Sequence, residues 1–176
     1  VKELKSIQDD ENEIYERFYK ELEFGTGGMR GIIGAGCNRI NKYTIARATL
    51  GFARYIKENG EAACKRGVAI AHDNRRCSRL FAEVTAGVLA ANGIKVYLFE
   101  DLRTTPELSF AVRHLNCFGG VVITASHNPF YDNGIKVINR FGEKLDDITT
   151  AYIEAYIDGD MSTLGINDAD LPLATK

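Results

Sequence analysis

Between Gly67 and Thr124 the chain switches period four times, and that alternation limits its fold more than any other feature. Gly67-Val-Ala-Ile-Ala71, Ile94–Phe99 and Gly119–Thr124 are short, mostly apolar runs, the pattern of strands buried on both faces. A helical segment starts at about Ser78 with Phe81, Val84 and Val88 turned inward, and Gly93 stops it. Residues 106–116 predict a second helix, with Thr105 as its N-cap and Pro106 at its first position. A strand-helix-strand-helix-strand succession builds a parallel sheet, because each helix carries the chain back before the next strand begins. Right-handed crossovers then line up His72-Asp73, Thr104-Thr105 and Ser126 along one rim, at the carboxyl ends of the strands.

The flanks add to this core. Asp10-Glu-Asn-Glu13 reads as a capping box opening a helix to about Glu23, with Ile14, Phe18 and Leu22 on one face. Residues 31–36 predict a strand, and Ile45, Thr49, Phe52 and Ile56 make a helical stripe across 43–59. A further strand is expected at 135–139 and a last helix at 146–158. The outer strands, 31–36 and 135–139, make the sheet mixed. The expected architecture is an α/β fold, a three-layer α/β/α sandwich on a mixed, mainly parallel sheet. It forms one domain over residues 1–176.

The chemistry concentrates after the strand at 119–124, where Thr124-Ala-Ser126-His-Asn-Pro129 follows. Three readings compete for Ser126. Ser, Asn and Pro are ordinary turn residues, so a plain polar turn is one. A serine hydrolase is the second, but no Gly-x-Ser-x-Gly elbow is present, and His127, next in the chain, is badly placed to take the Ser126 proton. The third is a phosphoryl-carrying serine, which needs cations, backbone donors and a metal around the transferred group rather than a triad. A hairpin return through Asp132-Asn133-Gly134-Ile135-Lys136 brings Lys136 back toward Ser126. Upstream, Phe24-Gly-Thr-Gly-Gly-Met-Arg30-Gly31 is a glycine-dense loop ending in a cation, able to wrap an anion. It is neither a Walker loop nor a dinucleotide fingerprint, whose last glycine would fall on Arg30.

Composition removes several function classes. A net charge of −2 leaves no basic footprint for nucleic acid or membrane lipid. No apolar run approaches the ~20 residues that span a bilayer. The start, Val1-Lys-Glu-Leu-Lys, is charged, unlike a signal peptide, and lacks an initiator methionine, so a piece of a longer chain is expected. Cys37, Cys64, Cys77 and Cys117 are widely and irregularly spaced, which suggests reduced thiols in a cytoplasmic protein rather than a zinc site or disulfide framework. His72 and His114 carry no partner pattern, although His72 falls just past a strand end.

Five segments together resemble a known family. They are Phe24-Gly-Thr-Gly-Gly-Met-Arg30-Gly31, Ala71-His-Asp73-Asn-Arg75, Thr104-Thr-Pro106-Glu-Leu, Thr124-Ala-Ser126-His-Asn-Pro129 and Asn133-Gly-Ile-Lys136. Their order and spacing, over about residues 20 to 140, resemble the first domain of the α-D-phosphohexomutase superfamily, the phosphoglucomutases and phosphomannomutases. Arg17-Phe-Tyr-Lys-Glu-Leu-Glu-Phe24 and Gly31-Ile-Ile-Gly-Ala-Gly36 look most like the bacterial phosphoglucomutase branch, which also resembles animal phosphopentomutases.

The resemblance implies roles. Ser126 matches the serine that carries the phosphoryl group and gives an oxygen of its phosphate to a catalytic Mg²⁺. A hexose phosphate is the implied substrate, with a sugar bisphosphate (glucose 1,6-bisphosphate) as intermediate and activator. His127 and Lys136 match residues near the reacting hydroxyl, one of which shuttles its proton, and Arg30 matches an arginine facing the transferring group. Each has a structural alternative: Lys136 a solvated strand-end lysine, His127 a residue that shapes the loop, Asp73 and Arg75 an internal ion pair bracing the site. The family's Asp-x-Asp-x-Asp-Arg metal loop is missing, and Asp158-Gly159-Asp160 and Asp168-Ala169-Asp170 read as polar loop. The remaining metal ligands and the sugar-recognition loops are therefore expected in further domains of the same parent chain.

Overall fold

The computed structural model describes residues 2–25 and 28–157. Five strands form one sheet in the order β1 (Gly28–Ile32), β5 (Asp132–Asn139), β4 (Gly119–Ile123), β2 (Val68–His72) and β3 (Val96–Leu98). β2 pairs in parallel with both β3 and β4, while β5 runs antiparallel to β4 and to β1. Four strands therefore share one direction and β5 alone is reversed, the mixed, mainly parallel sheet expected. β2 and β4 are buried along their whole length, as unbroken apolar runs require.

Alternate residues of the strands feed two separate cores. Val68, Ile70, Val121, Ile123, Ile135 and Val137 pack beneath α3 (Lys42–Glu58), α5 (Ser78–Ala91) and α7 (Asp147–Ile157). Ala69, Ala71, Val122 and Ile138 face the other way, onto Leu108 and Val112 of α6 (Thr105–His114). α5 and α6, the two crossover helices, thus lie on opposite faces and complete the α/β/α sandwich. The α3 stripe is buried at Ile45, Thr49, Phe52 and Ile56 as its spacing predicts.

Departures from the sequence reading have local causes. The N-cap of α6 is Thr104, one residue before Thr105. Glu107 lies three residues beyond Thr104, so its carboxylate accepts the Thr104 N–H at 2.8 Å while the Thr104 hydroxyl accepts the Glu107 N–H at 3.4 Å. The Thr104 N–H and, beside it, the Thr104 hydroxyl donate to the Glu107 carboxylate and hold it below its usual range. The helix expected to run to Glu23 is α2 (Glu11–Phe18), and none of its residues is buried. Its box is one-sided: Asp10 accepts the Glu13 N–H, but the Glu13 carboxylate turns to Arg17. With no core under Ile14 and Phe18, nothing extends the helix to Leu22, which leaves it to pack against the main core. Two short helices, α1 (Lys2–Ser6) and α4 (Glu61–Arg66), were not anticipated because neither is long enough to show a stripe.

The first strand also sits earlier than expected, at 28–32 instead of 31–36, with Ile33 making only a single bridge to Ile40. Pairing with β5 decides this, since the ladder runs Gly28↔Lys136 to Ile32↔Asp132. Part of the glycine-dense loop is therefore strand. Asp158-Gly159-Asp160 and Asp168-Ala169-Asp170 lie outside the described residues, as do Thr26 and Gly27.

Candidate active site

The buried strand β4 delivers its chain to the rim and the next residues turn sharply. The Thr124 N–H still donates to the Gly134 carbonyl at 2.9 Å, and Ser126 then takes a φ of 59°. That left-handed conformation costs a non-glycine residue roughly 1–2 kcal/mol, so something must hold it. The Ser126 N–H donates to Thr124 Oγ1 at 2.9 Å, and the Asn128 N–H donates to the Ala125 carbonyl at 3.1 Å. The turn leaves the Ser126 and His127 side chains exposed. His127 Nδ1 lies 3.4 Å from Ser126 Oγ, at the long edge of a hydrogen bond. No carboxylate bonds the His127 ring among the described residues, so the third member of a hydrolase triad is missing there.

Arg75 grips this loop from the β2–α5 connection. Its Nη1 donates to the carbonyls of Pro129 (2.7 Å) and Asp132 (3.2 Å), and its Nη2 to those of Ser126 (2.8 Å) and Asn128 (2.9 Å). Nε pairs with Asp73 Oδ2 at 3.3 Å, the internal ion pair expected from the sequence. Asp73 Oδ1 accepts from the Arg75 N–H and the Ser78 hydroxyl. Asn133, fully buried, donates to Ser78 Oγ and to the Arg76 carbonyl, and its Oδ1 accepts the Gly134 N–H. The clamp role of Arg75 and the anchor role of Asn133 were not read from sequence. Both residues fall within the quoted segments, and that was the available signal.

Arg30 and Lys136 occupy the neighbouring strands. Met29, Ile135 and Val137 point into the main core, so by alternation Arg30 and Lys136 project from the other sheet face, the side of α6. α6 packs on β2 and β4, which leaves these cations beside it rather than beneath it. Each long side chain stands across from a glycine, Lys136 opposite Gly28 and Arg30 opposite Gly134. A Cβ on Gly134 would lie 2.9 Å from Arg30 Cγ and one on Gly28 would lie 3.2 Å from Lys136 Cγ, so the glycines make room for both cations. The hairpin return is real: Lys136 pairs with Val122, and Ser126 lies in the turn joining β4 to β5.

Burial first, then the charges of Arg30 and Lys144, push the Lys136 ammonium below its ordinary value of 10.5. Because the folded value lies below the unfolded one, the cost to folding is full at neutral pH and lifts as pH rises through the folded value toward 10.5. Lys136→Met is therefore expected to raise the midpoint of thermal unfolding at pH 7 by about 1–2 °C, a gain that shrinks by pH 10. A lower midpoint at pH 7 than wild type would contradict this account of Lys136.

Other features bear on the site. Asp132 is buried, with Oδ2 accepting from Asn128 Nδ2 at 3.0 Å and Oδ1 without a partner among the described residues. His72 ends β2 with Nδ1 against the Asp73 carbonyl at 2.9 Å and Nε2 buried without a partner among the described residues. No group of three or more His, Cys, Asp or Glu converges to hold a metal ion among the described residues. Ser126 offers one neutral hydroxyl, a poor ligand for a cation that prefers anionic oxygens, so these residues alone do not make a Mg²⁺ site. The cavity of about 510 Å³ between α1, α2 and the starts of α3 and α5 holds none of Ser126, His127, Lys136 or Arg30. The four cysteines are free thiols. No helix among the described residues is long and apolar enough to cross a membrane.

Known proteins are similar to this chain in sequence and fold. A family model described as phosphoglucomutase/phosphomannomutase, alpha/beta/alpha domain I, matches residues 21–163. A phosphoglucomutase of Staphylococcus haemolyticus is 44% identical over 150 residues, covering 85% of this chain and 27% of that protein. One from Staphylococcus aureus is 40% identical over 175 residues, covering 98% of this chain and 31% of its own length. The crystal structure of a putative phosphomannomutase from Thermus thermophilus superposes with a TM-score of 0.71 at 36% identity, over 78% of this chain and 30% of that one. The chain thus spans less than a third of the length of these relatives.

Proposed function

We propose a function from one premise: this chain belongs to the phosphoglucomutase/phosphomannomutase family, as its α/β/α domain I. It is the catalytic-serine domain of a cytoplasmic phosphohexomutase that interconverts glucose 1-phosphate and glucose 6-phosphate. The observation that carries this reading is Ser126 itself. Its backbone is held on both sides in a left-handed turn at a strand end, while its hydroxyl stays exposed.

In the resting enzyme Ser126 Oγ carries a phosphoryl group. The free hydroxyl of a hexose phosphate attacks the phosphorus, the bond to Oγ breaks, and a new P–O bond forms on the sugar. The attacking hydroxyl passes its proton to the neutral form of Lys136 Nζ, whose share burial and the charges of Arg30 and Lys144 enlarge, and the released Ser126 Oγ takes up a proton in exchange. His127, 3.4 Å from Ser126 Oγ, is the alternative carrier. Arg30 meets the negative charge that spreads over the transferring group. The bisphosphate turns over, and Ser126 Oγ takes the other phosphoryl group to close the cycle. Glucose 1,6-bisphosphate from solution reloads a Ser126 that has lost its phosphate. When bound, Mg²⁺ neutralises charge on the phosphate of Ser126, with its remaining ligands in further domains of the parent chain.

The test is a coupled assay of the parent chain with glucose 1-phosphate, Mg²⁺ and glucose 1,6-bisphosphate. Mannose and pentose phosphates run in parallel separate a phosphomannomutase or phosphopentomutase from the reading given. The pure 176-residue chain is expected to fold and to show no turnover. Steady, Mg²⁺-dependent mutase activity from it alone would contradict the division of labour between domains.

A further inference from the structure

We propose that Arg75 is a positioning residue for phosphoryl transfer at Ser126, working through the loop backbone without touching the transferred group. The proposal rests on the reading of Ser126 given above. A guanidinium has five N–H donors. In Arg75 the four of the Nη fork are engaged, two by the carbonyls of Pro129 and Asp132 and two by those of Ser126 and Asn128, while Nε faces Asp73 in an ion pair at 3.3 Å. The fork that would grip a phosphate is filled by backbone carbonyls, and Nε is turned to a carboxylate. An arginine beside a phosphoryl site would ordinarily be assigned to bind it, and this count argues otherwise.

The contacts also close a ring. From Ser126 the path runs through its carbonyl to Arg75, then to Asp73, to the Ser78 hydroxyl and to the Asn133 side chain. Asn133 takes the Gly134 N–H, the Gly134 carbonyl takes the Thr124 N–H, and Thr124 Oγ1 takes the Ser126 N–H. Ser126 is therefore gripped by its own N–H on one side and its own carbonyl on the other. That ring ties the ends of β2, β4 and β5 together and leaves Oγ, with its long contact to His127, outside it. A residue in a left-handed conformation relaxes when such restraints loosen, and the nucleophile moves with it.

Lysine keeps the charge but not the fork, and it cannot satisfy four carbonyls and a carboxylate at once. In the parent chain, Arg75→Lys is expected to lower kcat for glucose 1-phosphate by about 100-fold, the scale of an ångström's misplacement of a reacting group. KM stays within about twofold, because uniform substrate binding is untouched. In Arg75→Ala, millimolar guanidinium is expected to restore part of kcat, since the free ion can reoccupy the carbonyl cage. An unchanged kcat in Arg75→Lys overturns the proposal. So does a raised KM with kcat preserved, which would make Arg75 a substrate or phosphoryl ligand. If Arg75→Lys does not fold, Asp73→Asn is read in its place. It leaves the four carbonyl contacts and weakens only the ion pair, so a smaller fall in kcat at constant KM supports the proposal, and an unchanged kcat overturns it. Wild-type enzyme inactive on every sugar phosphate would remove the reading of Ser126 as well, whereas an active wild type beside an equally active Arg75→Lys removes this inference alone.

Discussion

Ser126→Ala in the parent chain is expected to reduce mutase turnover by about 10⁵-fold or more, the scale seen when a covalent nucleophile is removed. The substitution deletes one exposed hydroxyl and little else. Both backbone contacts of Ser126, its N–H to Thr124 Oγ1 and its carbonyl to Arg75, survive in alanine. Alanine bears the same penalty for the φ of 59° as serine does, so the loop keeps its shape. Stability should change by no more than about 0.5 kcal/mol. The loss is then chemical, and intact-mass analysis after incubation with glucose 1,6-bisphosphate should find no phosphoryl group on the mutant. Retention of a tenth of wild-type activity would remove Ser126 from the chemistry. Loss of activity together with a lowered unfolding midpoint would point to a structural serine.

Gly134→Ala has the largest expected effect on the fold. A Cβ there collides with the Met29 carbonyl oxygen and comes within 3.1 Å of Arg30 Cα, both backbone atoms of β1. Backbone cannot swing aside as a side chain can, so β1 must move away from β5. Overpacking of this kind costs about 3 kcal/mol, which for a chain of this size lowers the unfolding midpoint by about 6–12 °C. Because β1 carries Arg30, the displacement also shifts a cation of the proposed site. Thermal unfolding of the 176-residue chain measures the first effect, and kcat of the parent chain the second. A midpoint within about 2 °C of wild type, a change of roughly 0.5 kcal/mol, would mean that β1 is not pinned as described.

Much of the fold was legible because its signals are local. Phe81, Val84 and Val88 face the core as their spacing implies, and Gly93 ends α5 with a φ of 75°. β2 and β4 are buried on both faces, as their lack of alternation demanded. What failed was local pattern without a tertiary partner. Ile14 and Phe18 formed a face with nothing to bury it, and Ile32 and Ile33 suggested a strand centred where the β5 ladder does not run. The N-cap of α6 was misplaced by one residue because two threonines stand side by side and only Thr104 has a partner three positions on.

The sequence by itself determined the parallel core, the rim on which Ser126 falls, and the family to which its segments point, because periodicity and short motifs are properties of neighbouring residues. Tertiary structure decided the rest. It set the register that places Arg30 and Lys136 on one sheet face across from two glycines, and it converged Arg75 on four carbonyls from a loop more than fifty positions away. Those contacts join strands distant in the chain. Their geometry follows from pairing and packing, where a shift of one residue in a ladder turns every side chain to the opposite face.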